Sequence, residues 1–267
     1  MFLSNFLIKN SLSYCKSFIW DSKLKRLKKI KSLKSININI LVGIDRQKKT
    51  LLNNTLNFAK GNFTNNALLW GSRGNGKSSL IKSIFFEVNK SYKNIKLVQL
   101  NKNDIFDIEL IYNKLGEFND YRFIIFIDDL SFERIDSDYK IIKSTLDGSI
   151  QNQPNNIMLY VTSNRRHLMP RDMIDNERSS AIHTDESVEE KISLSDRFGL
   201  WIGFHNLSQN DFIKIVIKYC EEFNLIFDEN VKKESIRWSL QRGNRTGRTA
   251  WQFILNHAAD HNKKIII

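Results

Sequence analysis

The chain has 267 residues, 41% of them hydrophobic, and a formal net charge of +12. That length and apolar share allow one large buried core, or a principal domain with a small second one. Two cysteines, Cys15 and Cys220, lie far apart and match no metal or disulfide spacing, so a disulfide scaffold is excluded and a reducing, cytoplasmic setting is expected.

The opening, "MFLSNFLIKNSLSYCKSFIW", is apolar in places, but Lys9, Lys16 and several serines and asparagines interrupt it well short of a membrane span, and a cleaved export signal is not expected. Lys23, Lys25, Arg26, Lys28, Lys29, Lys31 and Lys34 follow without an acid and carry more than half of the positive excess. Within that run Leu24, Leu27, Ile30 and Leu33 recur every three residues, which predicts a basic amphipathic helix. Residues 1–40 are therefore expected to form an appendage, docked on the fold or lying on nucleic acid or another anionic surface.

From there the pattern becomes regular. Ile44, Leu51, Leu52, Leu56 and Phe58 lie near helical spacing, with Gly61 as the stop. An apolar strand over Ala67 to Trp70 leads into a glycine-studded loop, then a helix over Lys77 to Asn89. Strands at "IKLVQL", "FIIFIDDL", "IMLYVTSN" and "LWIGF" alternate with helices over Ile105 to Leu115 and Asp138 to Ile150. Nearly continuous apolar strands separated by helices predict an α/β fold with a parallel sheet covered on both faces. Three helical patterns, Asp211 to Asn224, Asp228 to Gln241 and Gly247 to His261, then predict a helical lid over 207–267, behind an α/β domain over 41–206.

The loop carries the most specific chemistry. Gly71, Gly76, Lys77 and Ser78 fit G-x-x-x-x-G-K-[ST], and Gly74, Asn75 and Ser79 complete the stretch. Such a loop turns backbone N–H groups inward around an anion, with Lys77 reaching terminal phosphates and Ser78 placing its hydroxyl on Mg²⁺. The strand "FIIFIDDL" delivers Asp128 and Asp129 to the edge where ligands of such sheets bind. Asp128 is assigned to the metal and Asp129 to the attacking water, with Glu133 as a spare because aspartate is one methylene shorter than glutamate. Asn164 ends the next strand as a neutral group suited to hold that water. Arg197, at an apolar strand's entrance, either pairs with a carboxylate of its own chain or projects into a neighbour's site. Arg245 and Arg248 begin the last helix, where cations fit poorly without an anionic partner.

These pieces, in this order, resemble the AAA+ class of P-loop ATPases. The runs "NNALLWGSRGNGKSSL", "FIDDLSFE", "TSNRRHLMP", "EEKISLSDRFGLW" and "GNRTGRTAWQF" are similar to a bacterial family of short AAA+ ATPases of uncharacterised role. The resemblance spans about Leu41 to Ala258 and implies a five-stranded sheet ordered 5-1-4-3-2 with a helical lid. It implies ATP and Mg²⁺ as ligands, and Val42, Gly43 and Ile44, within "LVGIDRQ", in the adenine pocket. It also implies Asn164 and Arg248 as nucleotide sensors, and self-association in which Arg197 completes a neighbour's site in trans. Three readings of the task follow: an ATPase that remodels or loads a client, a nucleic-acid-associated loader, and an ATP switch that scarcely hydrolyses.

Overall fold

The computed structural model describes residues 2–33, 36–132, 137–147, 153–168 and 194–265. Among these residues the sheet has seven strands: β1 (Ser17–Asp21), β2 (Arg26–Lys29), β3 (Ala67–Gly71), β4 (Ile95–Leu100), β5 (Arg122–Ile127), β6 (Ile157–Ser163) and β7 (Leu200–Phe204). Their spatial order is β2-β1-β4-β5-β6-β3-β7. The stretch from β7 to β4 reproduces the expected 5-1-4-3-2 arrangement, with every pair parallel.

Two further strands extend the sheet, and they correct the expectation for the basic segment. Residues 17–29 form a hairpin: β1 lies parallel to β4 and β2 returns antiparallel to β1. The three-residue recurrence that reads as a helix is divided among different surroundings. Leu24 sits exposed in the turn, Leu27 packs against one core and Leu33 against the core on the sheet's other side. One helical face cannot serve two sides of a sheet. A helix would also set like charges three and four residues apart, whereas pairing with β4 buries Phe18 and Trp20.

Helices cover both faces. On β5, Phe123, Ile125 and Ile127 enter one core while Ile124 and Phe126 enter the other, because alternate residues point to opposite sides. The first core receives residues of α1 (Phe2–Tyr14), α4 (Ile108–Gly116) and α5 (Ser137–Asp147), and the second receives α2 (Asp45–Lys60) and α3 (Lys77–Ser91). A third cluster joins α6 (Gln209–Glu222), α7 (Glu229–Gln241) and α8 (Gly247–Asp260) into the lid. Each lid helix starts on a side-chain cap: Ser208 accepts from Asp211 N, Asp228 from Val231 N and Thr246 from Thr249 N. Gly61, left-handed, stops α2 as expected. Glu133 lies outside the described residues.

Candidate functional site

The loop between β3 and α3 is shaped by backbone demands that only glycine meets. At Gly71 φ is +132°, and an added Cβ would fall 2.0 Å from the Phe204 carbonyl oxygen on β7. Gly76 caps α3 in the left-handed conformation, with no side chain bonding to the helix's first amides. Those amides have no partner within the helix, and the positive end of its dipole lies beside them, so the site favours an anion.

Lys77 lies buried inside this loop. Its Nζ donates to Gly71 O at 2.6 Å, Ser72 O at 2.8 Å and Asn164 Oδ1 at 3.2 Å. Desolvation pushes its pKa down to about 8, against the pull of Asp129 and Asp128. A cation held only by neutral carbonyls beside two carboxylates is matched to an incoming anion. Asn75 fixes the loop from outside by donating to His205 O at 2.9 Å, and Arg248 N donates to Gly74 O at 3.2 Å, so the lid touches the loop directly.

The acidic side comes from the tips of β5 and β6. Ser78 Oγ and Thr162 Oγ1 both donate to Asp128 Oδ1, at 2.6 and 2.5 Å. Thr162 in turn accepts the Asp129 amide at 2.9 Å, and Asn164 donates its side-chain amide to Asp129 Oδ1. Asp129 has φ +56°, a left-handed conformation that a non-glycine residue adopts at some cost. The hard oxygen donors Ser78 and Asp128 suit Mg²⁺, which takes few protein ligands and retains waters and phosphate oxygens. Thr162 escapes a motif reading, although a polar residue two before Asn164 in an apolar strand, hence on the same face, is a usable signal.

These groups face a cleft of about 670 Å³ between sheet and lid. Gly74, Gly76, Lys77, Ser78, Ser79, Asp128, Asp129, Asn164 and Arg248 all line it. Ile36, Leu41, Tyr219 and Trp251 supply its apolar wall, and none of the four stands out in sequence from ordinary core residues. Val42, Gly43 and Ile44 are not in that wall. Val42 packs into the lid cluster, Ile44 into the second core, and Gly43 lies against Leu207 and Asp211. Of the two lid arginines, Arg248 lines the cleft while the Arg245 guanidinium reaches Gln209 Oε1 at 3.3 Å.

Arg197 is not brought to this cleft. It is half-buried just before β7, and the parallel register sets Leu200 beside Ala67 and Phe204 beside Gly71. Arg197 thus lies at the sheet edge opposite its own phosphate loop, roughly 17 Å away along a five-residue strand.

The sheet order, the glycine loop at the tip of β3, the acids at the tip of β5 and the helical lid together define the AAA+ P-loop fold. The chain belongs to the family described as "Protein of unknown function (DUF815)", which matches residues 13–261. A search of curated proteins returns no match. Among solved structures, domain III of the Thermotoga maritima replication initiation protein DnaA is similar, with a TM-score of 0.53 at 14% identity, covering 87% of this chain and 94% of that one. The Aeropyrum pernix ORC1 protein in complex with DNA gives a TM-score of 0.59 at 14% identity, covering 87% and 67%. A point mutant of Thermotoga maritima RuvB gives 0.51 at 17% identity, covering 84% and 71%. At these identities the likeness is one of fold.

Proposed function

We propose that the chain is an ATPase that binds Mg-ATP between sheet and lid and hydrolyses it where two copies meet. The observation that carries this reading is the convergence of Lys77, Ser78, Asp128, Asp129 and Asn164 on one cleft beside the open amino end of α3. Lys77 exchanges its bonds to loop carbonyls for phosphate oxygens, and the amides at the start of α3 take the adjacent phosphate. Asp129 accepts a proton from a water that Asn164 orients. That water's oxygen bonds to the γ-phosphorus as the bond to the bridging oxygen breaks, leaving ADP and phosphate. Ser78 and Asp128 would hold Mg²⁺, which supplies charge neutralisation between the phosphates. Arg248 neutralises phosphate charge from the lid.

Arg197 lies before β7, at the opposite end of that strand from its own phosphate loop, and does not line its own cleft, which supports its serving the cleft of a neighbouring copy. A second reading, a switch that binds ATP and scarcely turns it over, is favoured by one contact: Asn164 holds Asp129 in the lone chain. Equilibrium titration with ATP, then single-turnover hydrolysis at rising protein concentration, tests both. A rate that climbs with concentration supports the interface ATPase. A flat, very slow rate supports the switch, and failure of ATP to bind, or binding unchanged in Lys77→Ala, removes both.

A further inference from the structure

Among the described residues, those of the basic run from Lys23 to Lys31 do not line the cleft, and the hairpin geometry divides them into two sets. Lys25 Nζ is taken by Asp107, at 2.6 and 2.8 Å, and Lys29 Nζ by the Tyr14 hydroxyl. Asp107 also accepts Trp20 Nε1 at 2.8 Å, and Lys114 Nζ donates to Lys25 O at 2.6 Å. These contacts clamp the hairpin to the body of the domain. Lys23, Arg26, Lys28 and Lys31 are exposed and form no ion pair among the described residues. The nearest acid in register, Asp21, stands across the strand from Arg26 and accepts the Leu24 amide at 3.0 Å, closing the turn.

Arg26 and Lys28 project from one face of β2, about 6.6 Å apart at strand rise, with Lys23 in the turn before them and Lys31 beyond the strand's end. The result is a row of four cations along the outermost strand of the sheet. Lysines on an edge strand often serve only to block pairing with other chains. That role belongs to the strand itself and does not account for Lys23 and Lys31, which lie outside it. A bilayer is a poorer match, because Leu24 is the one large exposed apolar side chain on the hairpin and stable surface anchoring needs a broader apolar face. A linear row of cations on a rigid support matches a linear polyanion.

We propose that the β1–β2 hairpin is a nucleic-acid-binding edge that holds the phosphate backbone without reading bases. The proposal stands independently of ATP hydrolysis. The test is fluorescence anisotropy of a labelled single-stranded oligonucleotide and of its duplex, titrated with full-length protein at several salt concentrations. With four phosphates neutralised, single-strand binding should weaken roughly fifty-fold between about 50 and 200 mM salt, and duplex binding more steeply. The variant Lys23→Gln/Arg26→Gln/Lys28→Gln/Lys31→Gln should lose nearly all of that salt dependence and at least about tenfold in affinity at low salt. The pair Lys23→Gln/Lys31→Gln, outside the strand, should lose about half of the slope, which guards against misfolding of the larger variant. ATP titration and thermal unfolding, run on the same samples, separate this proposal from the cleft's function. Absence of binding to either oligonucleotide overturns the proposal, as does binding unchanged in both variants. Co-sedimentation with phosphatidylserine vesicles by a protein that ignores oligonucleotides overturns it in favour of a membrane surface.

Discussion

Asp129 accepts the side-chain amide of Asn164, while the carbonyl oxygen of that same amide accepts Lys77 Nζ at 3.2 Å. The group proposed to take a proton from water is therefore engaged before nucleotide arrives, and the lysine proposed to meet phosphate is one link further along. A γ-phosphate that draws Lys77 away removes one of the two bonds orienting Asn164. Binding and activation of the base are joined through a single side chain.

Asp129→Asn keeps the size of the side chain and removes its proton affinity. It should leave ATP affinity within a few-fold of the parent while single-turnover hydrolysis falls by about two to four decades, the range for loss of a general base. Asn164→Ala, which frees Asp129 but leaves the water without a holder, should lower the rate without weakening nucleotide binding. Quench-flow measurement with both variants checks the pair, and undiminished hydrolysis in Asp129→Asn removes that residue from the chemistry.

Lys77 gives a pH prediction. Burial pushes its pKa from 10.5 down to about 8, so between those values the unfolded chain holds a proton that the folded chain does not. The contribution of Lys77 to stability in the nucleotide-free protein should therefore rise as pH increases from about 8 to 10.5, and Lys77→Met should lose that rise. Bound phosphate should restore the charge, so nucleotide binding takes up a proton above pH 8. Affinity should then fall by up to about tenfold per pH unit above 8 and stay flat with respect to this group below it. Calorimetry in buffers of different ionisation enthalpy reads the proton uptake directly, and its absence at pH 9 means that phosphate does not meet Lys77.

The parts legible in sequence are those specified locally. The strand, glycine loop and helix of the phosphate site follow one another within a dozen residues, and Asp128, Asp129 and Asn164 follow apolar strands whose pattern leaves little choice of element. The β1–β2 hairpin was not legible, because its defining partner, β4, lies far along the chain and its lysine-rich strand imitates a helical repeat. Tyr219 and Trp251 were hidden for another reason. They stand at the seam where the lid cluster meets the cleft, and a residue at a seam has the same local pattern as one in the core. Val42, Gly43 and Ile44 show the converse, since a stretch adjacent to the wall seats the lid and the wall residue is their neighbour Leu41.

Asp107 anchors the hairpin, and its removal should be felt as stability. Burial alone would raise its pKa, but the hydrogen bonds from Lys25 and Trp20 outweigh that and hold it below the usual 3.8. Its contribution is thus complete above about pH 4 and is lost as pH falls through the lowered value. Asp107→Ala leaves the Trp20 indole N–H buried without a partner and should cost about 1–3 kcal/mol. Urea unfolding at neutral pH and near pH 3 should show the difference between parent and variant shrinking at the lower pH.

Arg197 gives the prediction that separates an assembly from a collection of monomers. Arg197→Ala should leave ATP affinity unchanged, since the side chain is absent from its own cleft. It should lower turnover by about three to five decades if it completes a neighbour's site. Lys77→Ala makes the opposite defect: a subunit with no working cleft that still presents Arg197. Each variant alone is then inactive, and mixing them should restore part of the activity, because an intact cleft meets an intact arginine at some of the interfaces. The restored rate should depend on total protein concentration and on the mixing ratio, passing through a maximum between the two pure samples. A mixture no more active than its components, or Arg197→Ala turning over normally, means that Arg197 serves its own chain.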